Sequence, residues 1–197
     1  MKKLVALFIV FSLFLYIPFN VGYADNVKIA EQLNKLGILT GDGNGNLNLD
    51  DNLKRQDMVV IISRLHKEEN TAKSYPVVNK FDDFTQDNSF YHSYISWAVN
   101  KKLIEGVGNN KFGFDDAVTV IQFQTVLLRA LGYTEEAKLS DSIPDIAKKI
   151  GLMEGVSGLS YKDNLTRGDM AVMIYNALNI RAKGSPLKLS EILKVDL

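Results

Sequence analysis

Gly37-Ile38-Leu39-Thr40-Gly41, followed by Leu47-Asn48-Leu49-Asp50-Asp51 and then by Lys54-Arg55-Gln56-Asp57, is the stretch that decides the fold, because it returns twice. The second copy reads Lys102-Leu103-Ile104-Glu105-Gly106, Phe112-Gly113-Phe114-Asp115-Asp116 and Thr119-Val120-Ile121-Gln122. The third reads Gly151-Leu152-Met153-Glu154-Gly155, Leu159-Ser160-Tyr161-Lys162-Asp163 and Thr166-Arg167-Gly168-Asp169. A unit this small cannot bury its apolar face alone. Three of them must pack on one another, which places any binding surface in the grooves where they meet.

Working outward from the block, the apolar-x-apolar pairs predict a short strand or bridge. The next segment carries Met58, Ile61, Ile62 and Leu65 in copy one. Phe123, Val126, Leu127 and Ala130 take those places in copy two, and Met170, Met173, Ile174 and Ala177 in copy three. Spacing of i, i+3, i+4, i+7 predicts a helix with one apolar stripe in each copy. Shorter helices are predicted ahead of each glycine block, at Ile29–Leu36, Tyr91–Lys101 and Ile143–Ile150. His66–Lys80 and Gly132–Ser142 read as polar connections, interrupted by Pro76 and Pro144. The expected organisation is a signal peptide over 1–24, a first repeat over 25–68, a linker over 69–80, a second repeat over 81–133, a third over 134–180 and a tail over 181–197. The tail's Leu187, Leu189, Ile192, Leu193 and Val195 suit a closing amphipathic helix that caps the stack, or a docking segment for a partner.

Composition narrows the function classes. With 197 residues, 46% of them hydrophobic, the chain can build a real core. Basic and acidic residues balance at 23 each with no Lys/Arg-rich face, which argues against nucleic acid. Lys2-Lys3, an apolar run from Leu4 to Ile17, and Gly22-Tyr23-Ala24 form a secretory signal expected to be cut after Ala24, so membrane contact is expected only through that segment before cleavage. The alternative is an uncleaved anchor, against which stand the shortness of the run and its interruption by Pro18 and Asn20. The absence of cysteine removes disulfides, a lipid-modified cysteine, a thiol nucleophile and a Cys-based zinc site. Cysteine-free exported proteins are common in Gram-positive bacteria.

The helix starts are where chemistry could sit. Thr119 and Gln122 fit a capping box, and Thr166 with Asp169 a shorter one; Lys54 forfeits the hydroxyl in copy one. Capping explains the threonines and the acid or amide, but it leaves the arginines unexplained. A cation in the first turn faces the positive end of the helix dipole, yet Arg55 and Arg167 both sit there. Two readings stand: a solvated surface arginine, or an anion ligand in which the guanidinium works beside first-turn N–H groups. Other constellations fail. Asp42-Gly43-Asn44-Gly45-Asn46 begins like a calcium loop but has Leu47 and Leu53 where glycine and a bidentate acid are required. Gly41, Gly43 and Gly45 follow a helix instead of a strand, unlike a dinucleotide loop. His66 and His92 lack ligand spacing and read as surface histidines, Gly155–Gly158 lacks nucleophile-elbow spacing, and Asp82-Asp83 would point apart. No catalytic constellation survives, and no cofactor is expected.

Taken together, the helix, the Gly-Ile-Leu-x-Gly block, the apolar-x-apolar bridge and the Thr-Arg-x-acid helix start, repeated behind a signal peptide, resemble the S-layer homology family. Phe81-Asp82-Asp83-Phe84 and Ser89-Phe90-Tyr91 match the opening of its repeat, with Phe90 in place of the usual tryptophan. The resemblance spans about residues 27–180. It implies a mainly α fold: three helix-loop-helix repeats in a pseudo-threefold bundle with short β bridges. It also implies a secreted, wall-associated, non-catalytic anchor that holds a secondary cell-wall polysaccharide, carrying an acidic pyruvylated sugar, in inter-repeat grooves. Other wall proteins are possible partners. By position Arg55 and Arg167 would contact the acidic group, and Asp83 and Asp141 would bond sugar hydroxyls. Val120 replaces the arginine in copy two, which leaves at most two competent grooves. The alternative is a protein-interaction or structural module of the same fold with decayed glycan grooves. Trp97 reads as core.

Overall fold

The computed structural model describes residues 21–78 and 80–197. The signal-peptide reading of residues 1–24 lies outside them, apart from the backbone of 21–24, which belongs to the first helix. Among the described residues eight α-helices carry the fold: α1 (Val21–Lys35), α2 (Arg55–Leu65), α3 (Glu69–Lys73), α4 (His92–Asn100), α5 (Val120–Ala130), α6 (Ile143–Lys149), α7 (Arg167–Asn179) and α8 (Leu189–Leu193). Among the described residues β structure is confined to isolated bridges. None of the described helices is long and apolar enough to cross a membrane.

The three predicted stripes are the core. Met58, Ile61, Ile62 and Leu65, Phe123, Val126 and Leu127, and Met170, Met173, Ile174 and Ala177 are all buried, and Ala130 is half-buried. The helices are buried on more than the stripe: Val59, Val60, Leu128, Ala171 and Val172 are covered as well. The cause is the packing order. Each unit's leading helix lies on the long helix of the unit before it, α4 on α2 and α6 on α5, and α1 closes the ring on α7. A long helix is therefore covered from two sides.

At the centre the units meet in a closed backbone cycle. Leu53 N–H donates to the Leu165 carbonyl, Leu165 N–H to Val118, and Val118 N–H to Leu53, each at 2.8 Å. The three side chains are fully or almost fully buried, so the axis is dry and every polar group on it must be paired. Three antiparallel bridges surround the cycle: Asn52 with Thr166, Lys54 with Ala117 and Thr119 with Asn164. This is pseudo-threefold symmetry in its most direct form. The bridges lie directly before each long helix, not in the apolar-x-apolar pairs that alternation had marked, because it is the pre-helix residues that face a neighbouring unit.

Two further differences have local causes. Residues 69–80, read as a linker, contain α3, which packs on α4 and covers Ala72. Pro144 does not break a helix but sits in the first turn of α6, where its missing N–H costs nothing. The tail folds back as expected of a cap: α8 packs on α7, Arg181 bridges Lys188, and Leu189 and Val195 are buried.

Candidate anion-binding grooves

Every long helix begins inside the ring, and this decides what its first turn can do. The Arg55 N–H donates to the Asp116 carbonyl (3.1 Å), the Val120 N–H to Asp163 (3.0 Å) and the Arg167 N–H to Asp51 (2.9 Å). Ile121 and Gly168, one position on, donate to the carbonyls of Tyr161 and Leu49. These first-turn donors are taken by the neighbouring unit, which removes the expectation that an anion would meet them there. The caps themselves form as expected: Gln122 Oε1 accepts from Thr119 N–H, and Thr166 Oγ1 accepts from Asp169 N–H.

The arginines follow the same symmetry. Arg55 Nε donates to the Phe112 carbonyl (3.0 Å) and its terminal nitrogen to Glu105 (2.9 Å). Arg167 makes the equivalent pair, to Leu47 (2.9 Å) and Thr40 (2.8 Å). Each guanidinium thus clasps two carbonyls of the neighbouring unit's loop, and these charge-assisted bonds offset the unfavourable position at a helix start. Arg55 is only 5% exposed, with its guanidinium 5.1 Å from the Phe112 ring centre, while Arg167 is half-buried. Burial lowers the Arg55 pKa, opposed by the Asp116 and Asp83 carboxylates.

Two clefts border these clasps. The larger, about 630 Å3, takes Arg167 from unit three, Thr40, Lys54, Asp57 and Arg64 from unit one, and Phe90, Tyr91 and Asp115 from unit two. The smaller, about 250 Å3, is lined by Arg55, Glu105, Gly106, Gln122, Thr125 and Arg129. They are the same groove one unit apart. Arg64 and Arg129 are the participants that sequence reading missed. Arg64 donates to Thr40 Oγ1 (2.7 Å) and Arg129 to Glu105 Oε1 (2.7 Å) and the Leu103 carbonyl (3.1 Å). Their signal was identical placement nine residues beyond Arg55 and Val120, masked because a cation in a last turn has an ordinary reading as a dipole partner. The third groove carries Val120 and Asn176 at these two places, so neither is cationic, and Asn176 donates instead to the carbonyls of Leu152 and Glu154.

Asp83 is not presented to a groove. Its carboxylate accepts the N–H groups of Phe112 (2.9 Å), Gly113 (2.8 Å) and Phe114 (3.4 Å), pinning the loop whose carbonyl Arg55 clasps. Burial alone would raise its pKa; the three donors outweigh that and hold it below the ordinary carboxylate value. Asp141 is exposed in the turn before α6 and meets the Ser140 hydroxyl (3.3 Å), away from both clefts. The sequence had grouped these two acids with the arginines; the structure spends one on its own loop and leaves the other on the surface.

Aromatic residues divide similarly. Trp97 is fully buried, donating to Glu68 Oε2 (3.0 Å), whereas Phe90 is 58% exposed on the larger cleft. Tyr91, beside it, donates to Asp57 (3.1 Å), and burial together with that carboxylate pushes its pKa up to about 12. The histidines are not plain surface residues. His66 is half-buried edge-on to Trp97, and His92 stacks on Phe84 at 3.9 Å. Asp42 closes an Asx turn by accepting from Asn44 and Asn46 N–H, the local turn in place of a calcium loop. Among the described residues no group of three or more acids and histidines is disposed to hold a metal.

Parts of the sequence are similar to known proteins. Residues 80–119 match the S-layer homology domain. The chain is 25% identical over 159 residues to the middle cell wall protein of Brevibacillus brevis, covering 80% of this chain and 15% of that one. It is 26% identical over 193 residues to a cell surface protein of Thermoanaerobacter kivui, covering 91% and 25%. A surface layer protein of Brevibacillus choshinensis is 26% identical over 106 residues, covering 54% and 9%. The chain therefore spans a quarter or less of the length of these relatives. The second unit is thus similar to the S-layer homology domain, and the relatives the chain resembles are named for the cell wall, the cell surface and the surface layer.

Proposed function

We propose that the chain is a non-catalytic cell-wall anchor of the S-layer homology type, which works by holding an acidic, pyruvylated secondary cell-wall polysaccharide in the arginine-bearing grooves. The observation that carries the reading is the pairing of two guanidiniums in each of two clefts, Arg167 with Arg64 and Arg55 with Arg129. A planar donor array in a partly desolvated cleft suits a carboxylate. Phe90 adds an exposed aromatic face beside the larger cleft, where a sugar ring can pack. Arg55 and Arg167, braced by carbonyls, position the site as well as charge it. Asp83 acts behind the groove by fixing the loop, and Asp141 is assigned no part.

The test is retention on purified wall sacculi under a salt gradient. An Arg64→Gln, Arg129→Gln variant keeps both clasping arginines and is expected to elute at lower salt, with circular dichroism at the assay temperature confirming that it is folded. Unchanged elution would remove the groove arginines from the mechanism. A second reading, a protein-binding module with decayed grooves, is favoured by the third groove alone, where Val120 and Asn176 replace cations. Capture of wall proteins together with failure to bind purified polysaccharide would select it.

A further inference from the structure

The two arginine grooves differ at the one residue on which both guanidiniums converge. In the larger groove that residue is Thr40: Arg167 donates to its carbonyl and Arg64 to its hydroxyl. In the smaller it is Glu105: Arg55 donates to its carbonyl and Arg129 to its carboxylate. The neutral hydroxyl and the carboxylate oxygen thus take equivalent places against equivalent arginines, both at 2.7 Å.

Resting on the glycan reading above, we propose that Thr40 and Glu105 decide which groove accepts an acidic ligand: the Thr40 groove is the anion site, and Glu105 occupies the anion's place in the other. At Thr40, Arg167 has no carboxylate within 4.0 Å among the described residues, and Arg64 has one, Glu69, bound through the Nε edge at 2.9 Å and not through the nitrogen that reaches Thr40. Thr40 itself is exposed, so a ligand can reach this corner. Of the four acids lining the larger cleft only Asp115 is paired with a cation, Lys54, and none of the four lies within 4.0 Å of the Arg167 or Arg64 nitrogens. Asp42 holds Asn44 and Asn46 N–H, Asp57 accepts from Tyr91, and Asp115 is bound by Lys54 (2.9 Å) and Gln56 (2.9 Å), while Asp51 is solvent-exposed. In the smaller cleft Arg129 is 13% exposed and already neutralised by Glu105, and Arg55 faces the fields of Asp116 and Asp83. A second carboxylate entering there would meet the like charge of Glu105, already held by Arg129 at 2.7 Å, and would have to displace it.

The experiment is titration calorimetry of the full chain with the methyl glycoside of a pyruvylated hexose. The wild type is expected to bind one equivalent, and Glu105→Thr two. Thr40→Glu is expected to lower the affinity of the remaining site by at least about tenfold, from like-charge repulsion. Thr40→Gln, of similar bulk without the charge, retains most of it. Circular dichroism checks the fold of each variant, and both positions are exposed. Two equivalents in the wild type, or equal losses from Thr40→Glu and Thr40→Gln, overturn the assignment while leaving glycan binding intact. No heat from either the wild type or Glu105→Thr overturns the glycan reading itself.

Discussion

Replacing Arg55 by alanine should damage stability far more than replacing Arg167, although the two occupy the same place in the repeat. Arg55 donates to two backbone carbonyls, Phe112 and Glu105, from a site only 5% exposed. Hydrogen bonds from a charged donor contribute about 1.5–3 kcal/mol each, and carbonyls left buried lose a partner that water cannot easily supply. The guanidinium over the Phe112 ring adds roughly 0.5–2 kcal/mol. Allowing for relaxation of the loop, a loss of about 4 kcal/mol follows from these terms. For a chain of this size that corresponds to a fall in Tm of about 8–16 °C. Arg167 makes the same two bonds but is half-buried, so water can reach Thr40 and Leu47 when it is removed. Its loss should cost about 1–2 kcal/mol. Thermal unfolding followed by circular dichroism, with urea midpoints as a check, measures both. Equal shifts for the two variants, or an Arg55→Ala protein melting within about 2 °C of wild type, would refute the view that the arginine is a buried clasp between units. The prediction also bears on function: loss of wall binding in Arg55→Ala would report unfolding as much as a missing ligand contact.

Gly106→Ala should destabilise by about 1–3 kcal/mol, since a Cβ there would lie 2.5 Å from the Lys111 carbonyl oxygen and 2.7 Å from the Phe81 ring. Gly43→Ala, where a Cβ meets open space, should leave urea midpoints unchanged or slightly raised. His66 buries an Nε2 with no partner among the described residues, and burial lowers its pKa below the ordinary 6.5, opposed by Glu68. A depressed folded-state pKa means that the unfolded chain binds more protons between the two values, so stability present above pH 6.5 is lost as pH falls toward the folded-state pKa. His66→Phe, which keeps the edge-on contact with Trp97, should flatten that acid limb, so that its stability relative to wild type rises as pH falls below 6.5; an unchanged pH profile of Tm would refute the assignment.

Local pattern and tertiary contact contributed to different parts of this protein. The long helices were legible because each carries an apolar stripe, a threonine cap in two of three copies and a glycine block upstream, all of which act within a few residues of each other. The short helix at Glu69–Lys73 was not, because its five residues carry a single buried side chain, Ala72, and gain their stability from α4. Arg55 and Arg167 were singled out correctly as misplaced cations, but the first explanation, an open helix N-terminus, failed. The carbonyls that bind them lie about fifty residues away for Arg55 and more than a hundred for Arg167. Asp83 was similarly visible as an acid in a repeated motif, while its three N–H partners are supplied by a loop about thirty residues further along the same unit.

The amino-acid sequence alone determined that there are three similar units, where their long helices run, and that the second unit lacks the first-turn arginine. It could do so because periodicity, capping and turn chemistry are local. Only the tertiary structure decided that the units close a ring through Leu53, Val118 and Leu165, and that Arg64 and Arg129 join the grooves. It alone placed Thr40 opposite one arginine pair and Glu105 opposite the other. Those outcomes depend on which unit's carbonyls and side chains meet across an interface, and that is set by packing the apolar faces of all three units at once.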